Sequence, residues 1–439
     1  MRDARSGRRE GRCPAPDAPI PPPAGALVPR IHDLRRPQAP IVRRVAHHDH
    51  GLSFDEARTA MRARAVDPPN EPVALDALAG RVLAEHVRAR TDHPAFTNSA
   101  MDGFAVRAAD VAGGARVRLV GESRAGFPFD GALGPGEAVR ISTGAEVPEG
   151  ADAILRKEDA DDRGDAVAAT VPPPAGMSLR RRGEDIREGQ VLLPAGHRLA
   201  PHEVGVVAAA GHAVVSCVRR PRVVVLGSGD ELVQPGGRPG PGQVFDSNRH
   251  GIAAQARAAG AEVVRLVLVP DDRAATQAAL AEALDGDRPD VLVTIGGVSV
   301  GRHDHLRPAL EACGVAQVFF GAAIRPGHPL WLGERGDQRV LGLPGNPVSS
   351  AVCFHAFGRE LLGLTDDWDV RMPLASAHAK DTPRTEIIRC REMDGALHPL
   401  PRQGSHAITS LASASHLAVI PAENLETPAG ALLRTSRLV

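Results

Sequence analysis

The sequence of 439 residues predicts a multidomain protein of α/β plus β class, built on one doubly wound α/β domain. Three stretches between residues 222 and 350 predict that domain: RVVVLGSGDELV at 222–233, DVLVTIGGVSVGRHDHLRPAL at 290–310 and RVLGLPGNPVSS at 339–350. In each, a β-branched apolar run breaks at glycine and a polar turn follows, with a helical pattern directly after it in the last two. Residues 92–181 and 365–439 instead hold short β runs punctuated by Gly, Pro and Asp, which predicts two small β-rich parts.

In chain order, residues 1–50 carry nine prolines between Pro14 and Pro40 and ten arginines against five acids. Such a segment buries too little surface to fold and is expected to be a disordered tail; His47, His48 and His50 read as solvated linker. Ser53 with Glu56 three residues later predicts a capping box opening a helix at 54–65. A second helix is expected at 75–87, with Leu75, Leu78, Val82 and Leu83 on one face. The insertion at 92–181 is expected to place strands near 104–106, 117–120, 138–142 and 153–155.

From 219 to 364 the pattern alternates. Strands are expected near 222–226, 262–269, 291–295, 317–319, 330–332 and 339–343, and helices near 249–259, 274–284, 305–313 and 348–362. Asn248, closing FDSN, is the expected N-cap of the first helix. Asp271 and Asp272 lie between strand and helix, where capping is the ordinary reading. Beyond 365, runs at 386–389, 418–420 and 431–433 predict a small β-barrel.

Composition excludes several functions. A net charge of −1 offers no general attraction to nucleic acid or anionic membrane, and 3% aromatics with no tyrosine leave no stacking platform for single strands. Of 52 basic residues only Lys157 and Lys380 are lysines. Five dispersed cysteines without a CxxC pair indicate neither zinc site nor disulfide framework, so reduced thiols and a cytoplasmic location are expected. No apolar run reaches the roughly 18 residues of a membrane helix, and no secretory signal is expected.

The three glycine turns carry the chemistry. In a parallel sheet they emerge at the carboxyl ends of strands and converge on one cleft. Backbone N–H donors there, with Glu231 and Asp304, suit a phosphate-bearing ligand bridged by a hard ion such as Mg²⁺.

GGVSVGRHDH, LGLPGNPVSS, GDELV and NSAMDGFAV at 98–106 resemble, in order, the signatures of the MoeA-type molybdopterin molybdenumtransferases, the family that includes the C-terminal part of gephyrin. The resemblance runs from about Leu52 to the C-terminus. It implies an elongated homodimer, with a linking domain from 51–91 and 182–218, an inserted β domain at 92–181, a molybdopterin-binding domain at 219–364 and a barrel at 365–439. It implies insertion of molybdate into adenylylated molybdopterin with release of AMP, and contact with the molybdopterin adenylyltransferase and molybdoenzyme maturation proteins.

By the same resemblance, Asp102, Thr143, Glu231 and Asp304 are catalytic, with Asp102 and Thr143 reaching the cleft from the other subunit. Gly296, Gly297, Ser299, Pro344, Gly345, Asn346 and Ser349 would cradle pterin and phosphate. Glu231, Asp304 and Asp271 or Asp272 would hold Mg²⁺. Arg325 and His328, in IRPGHP, stand where the family usually has lysines and would bind the oxyanion. Arginine keeps the charge and adds a planar fork, whereas histidine is a cation only when protonated. A non-catalytic scaffold and an adenylyltransferase stay open as alternatives, as does tungstate for molybdate.

Overall fold

The computed structural model describes residues 51–297, 305–364 and 368–438. The expected tail at 1–50 lies outside them, as do Ser299 and Asp304.

Helix α1 (Phe54–Arg62) opens with the expected capping box: Ser53 accepts from the Glu56 N–H, and Glu56 accepts from the Ser53 N–H at 2.9 Å. Its apolar face buries Phe54, Ala57 and Met61 in the core of the α/β domain. Phe54 meets Phe357 and Trp368 edge-on, with ring centroids 5.7 and 5.3 Å apart.

Residues 75–87 do not form the expected helix. A single 3-10 turn, Leu75–Ala77, is followed by Gly80 at φ +76° and then by extended chain. Leu83 donates to His197 O and Ala84 to Ser216 O, at 3.0 and 2.9 Å. Pairing with the returning 190–218 segment satisfies the backbone that a helix would have satisfied internally, while Leu78, Leu83 and Val87 are still buried. The inserted residues form a six-stranded sheet that includes Gly103–Val106, Arg116–Ser123, Glu137–Ile141 and Ala153–Arg156, close to the expected runs.

The α/β domain comprises β1 (Arg222–Ser228), α2 (Asn248–Ala258), β2 (Glu262–Val269), α3 (Arg273–Ala281), β3 (Val291–Ile295), α4 (Leu306–Ala312), β4 (Ala316–Phe320), β5 (Ile324–Arg325), β6 (Trp331–Arg335), β7 (Gln338–Leu343) and α5 (Pro347–Cys353). Its sheet runs β2-β1-β3-β7-β6-β4, the first four parallel and β6 antiparallel to both of its neighbours. Val223, Val225, Val291 and Val293 pack on one face with α2 and α5; Val224, Leu226 and Leu292 pack on the other with α3 and α4. Burial on both faces is why these strands read as continuous apolar runs rather than alternating ones.

The two long helices expected at 274–284 and 348–362 are interrupted, each α segment passing into a π-helical turn, at Glu282–Asp287 and Phe354–Gly358. Strand β5 leaves the α/β sheet to pair in parallel with β9 (Thr385–Met393) of the C-terminal part. That part, with β8 (Arg371–Pro373), β10 (Ala396–Pro399), β11 (His416–Ile420) and β12 (Leu432–Arg437), runs β5-β9-β11-β12-β8, with β10 also on β9. A bridge between Leu374 and Leu397 links its two ends.

Candidate functional site

Strands β1, β3 and β7 are parallel neighbours, with Gly227, Ile295 and Leu343 in one register row, so their turns emerge together. Because β2 lies on the far side of β1, the gap between β1 and β3 is the topological switch point, where open α/β sheets bind ligands. The approach is close: a Cβ on Gly345 would lie 3.7 Å from Gly296 Cα, and one on Gly296 would lie 3.5 Å from Ser228 O. Gly297, at φ +61°, has a packing reason of its own, since a Cβ there would strike the Leu306 side chain of α4. Asn248 is not the expected cap. Ser247 holds that position, and Asn248 Nδ2 instead donates to Gly345 O at 2.6 Å, tying α2 to the β7 turn.

Around the β1 turn, the exposed Glu231 carboxylate folds over Gly229 and has no partner among the described residues. Asp230 Oδ1 accepts from the Asp271 N–H at 3.1 Å. Asp272 caps α3, accepting from the Ala275 N–H at 2.8 Å, so capping accounts for it. Among the described residues no three His, Cys, Asp or Glu side chains are arranged to hold a metal.

A cleft of about 410 Å³ opens between the α/β domain and the C-terminal sheet. One side is Ile324–Pro329 with Pro344, Asn346 and Ser349; the other is Arg384 with residues 403–406. Arg325 lines it, its guanidinium paired through Nη1 with Asp381 and 3.7 Å from Glu386. The Arg325 hydrogen bond in turn holds the Asp381 carboxyl below its ordinary range. His328 Nδ1 lies 2.9 Å from Ala322 O, so this nitrogen carries the proton and Nε2 is left without a protein partner among the described residues. Gly327 sits at φ +112° because Cys353 Sγ occupies the space of a Cβ.

Arg384, Gln403, Ser405 and His406 carry no motif that marks them as site residues in the sequence. No strand–turn–helix context marks them; the pairing of β5 with β9 brings Arg384 to the cleft, and the Val348 N–H of α5, donating to Ser405 O at 3.1 Å, holds 403–406 there. The Arg384 guanidinium and the N–H groups of Gly404, Ser405 and His406 have no partner among the described residues.

Asp102 and Thr143 come together in the inserted sheet and do not line the cleft. Asp102 accepts from the Thr143 N–H and hydroxyl, which hold its carboxyl below the usual range, and Lys157 Nζ stands 4.0 Å away.

Residues 52–211 match the family described as MoeA N-terminal region (domain I and II), 224–363 the probable molybdopterin binding domain, and 371–433 the MoeA C-terminal region (domain IV). A molybdopterin molybdenumtransferase of Haemophilus influenzae is 37% identical over 314 residues, covering 71% of this chain and 77% of that one. One from Synechococcus elongatus is 34% identical over 388 residues, covering 84% and 96%. The solved molybdopterin biosynthesis moeA protein of Pyrococcus horikoshii superposes with a TM-score of 0.75 at 27% identity, over 88% of this chain and 98% of that one.

Proposed function

This chain belongs to the MoeA family, and from that premise we propose that it is a molybdopterin molybdenumtransferase of molybdenum cofactor biosynthesis, converting adenylylated molybdopterin and molybdate to metal-loaded cofactor and AMP. The observation that carries this reading is the cleft that sets Arg384 and N–H donors, unpaired among the described residues, opposite the Pro344–Ser349 side, beside the converging glycine turns. A tetrahedral oxyanion needs such convergent donors in a partly desolvated space.

In this reading Arg384 and the Ser405 N–H hold molybdate, with His328 alongside. Arg325 joins them only on release from Asp381. Gly296, Gly297, Ser299, Gly345 and Asn346 cradle pterin and phosphate, and Glu231 and Asp304 position water at the phosphoanhydride. Mg²⁺ is commonly held by one or two carboxylates together with substrate phosphates, and the unpartnered Glu231 carboxylate fits that donor chemistry. Glu231 and Asp271, with Asp304, would hold the ion, which when bound offsets phosphate charge.

Asp102 and Thr143 lie off the cleft of their own chain, which fits the family resemblance in which a second copy supplies them; in this reading the working unit is a homodimer. A molybdopterin adenylyltransferase must provide the substrate, and molybdoenzyme maturation proteins take the product. The described cysteines are free thiols, which supports a cytoplasmic setting, and no described helix is long and apolar enough to cross a membrane.

The test is AMP release by the purified full chain given adenylylated molybdopterin, Mg²⁺ and either molybdate or tungstate. Release that depends on the oxyanion, with a raised molybdate KM in Arg384→Gln, is the expected result. The Arg325–Asp381 pair favours a scaffold as second reading, and binding of the nucleotide without AMP release under either oxyanion would select it.

A further inference from the structure

Behind each segment of the C-terminal cleft wall lies a buried cation that meets no carboxylate within ion-pair distance among the described residues. Lys380 is 9% exposed, and its ammonium donates to three carbonyls: Arg384 O at 2.7 Å, Pro421 O at 2.6 Å and Ala422 O at 2.9 Å. Arg389 is fully buried; Nε donates to Ser410 Oγ at 3.0 Å, and Nη2 to Arg402 O at 3.0 Å and Gly404 O at 3.3 Å. Glu386, a carboxylate on the same strand as Arg389, is engaged by His378 and Arg325 instead. A buried cation without a counter-ion is costly, so its carbonyl partners matter.

Two of those partners, Arg384 O and Gly404 O, are carbonyls of residues that line the cleft. In a planar trans peptide the C=O and the next N–H point in opposite directions. Gly404 O is turned to Arg389, so the Ser405 N–H is turned away from Arg389, and Ser405 lines the cleft. Gln403 reinforces this from the same side: its Oε1 accepts from the Arg389 N–H at 3.0 Å, and its Nε2 donates to Arg389 O at 2.9 Å. Likewise the 384–385 peptide is strapped between Lys380, which takes Arg384 O, and Ala323 O, which takes the Thr385 N–H at 3.0 Å. The backbone of Arg384 is fixed and its guanidinium left over.

The choice of residue fits the task. This chain uses arginine at 50 of 52 basic positions, yet position 380 is lysine. One nitrogen serving three carbonyl oxygens needs the tetrahedral ammonium, because a planar guanidinium spreads its donors over three nitrogens.

We propose that Lys380 and Arg389 are positioning residues for oxyanion binding: by drawing the carbonyls of Arg384 and Gly404 away from the cleft, they present the Arg384 guanidinium and the Ser405 N–H to the anion. This rests on the reading that the cleft takes molybdate. The experiment measures molybdate KM, adenylylated-molybdopterin KM and kcat at saturating molybdate for the full-length Lys380→Arg and Ser410→Ala variants. Lys380→Arg keeps the charge and loses the geometry, and Ser410→Ala removes one Arg389 acceptor without deleting a cation.

Expected is a roughly tenfold rise in molybdate KM for Lys380→Arg and a severalfold rise for Ser410→Ala, with the other two parameters within about twofold. If Lys380→Arg does not fold, Ser410→Ala decides. Unchanged molybdate KM in the variants, or equal losses in both KM values and kcat, overturns the proposal while leaving the transferase reading intact. Wild-type AMP release indifferent to molybdate overturns both.

Discussion

Asp102 and Thr143, 41 residues apart, are joined by two hydrogen bonds: the carboxylate Oδ1 of Asp102 accepts from the Thr143 main-chain N–H at 2.7 Å and from its hydroxyl at 2.8 Å. The aspartate is thereby aimed and kept ionised. Thr143→Val keeps the N–H bond and loses the other. It is expected to lower kcat by about tenfold with the melting temperature little changed, as befits an exposed pair. Paired activity and thermal-melt measurements check this, and a fall in stability without loss of rate would make the pair structural.

Asn248 anchors the turn after β7 through Gly345 O. Asn248→Ala removes one hydrogen bond worth about 1 kcal/mol and should raise the KM for adenylylated molybdopterin, leaving that for molybdate alone. Equal changes in both would mean that the turn serves both ligands.

Glu360 is buried and accepts from both Arg58 and Arg62, the latter with Nε at 2.5 Å, fixing α1 to the helix that follows β7. Glu360→Ala removes the buried carboxylate that both guanidiniums share and is expected to cost about 3 kcal/mol in urea unfolding. A loss below about 1 kcal/mol would show that water reaches the pair.

His355 is packed beside Trp368 with a ring nitrogen 2.8 Å from Ser436 Oγ, and burial pushes its pKa down to about 3 from 6.5. The unfolded chain therefore binds a proton that the folded chain refuses, and stability falls as pH drops below about 6.5 toward 3. Between pH 6.5 and 5, where most carboxylates stay ionised, the unfolding free energy of His355→Gln should depend on pH less steeply than wild type. Parallel slopes would place the titration elsewhere.

The sequence by itself determined the three strand-and-turn units of the sheet, the α1 capping box and the family. These rest on local signals: buried runs of Val and Ile, glycine at forced turns, and a cap three residues from its partner. Tertiary structure alone decided the rest. Residues 75–87 have helical spacing, but their backbone is satisfied by residues 190–218, which no local pattern encodes. That Arg325 lies beside Asp381 and Glu386 follows from the pairing of β5 with β9, not from its IRPGHP context. The same pairing brings Arg384 to the cleft, and the Val348 N–H holds Ser405 there, because backbone hydrogen bonds between distant segments, not side-chain chemistry along the chain, choose which loops meet.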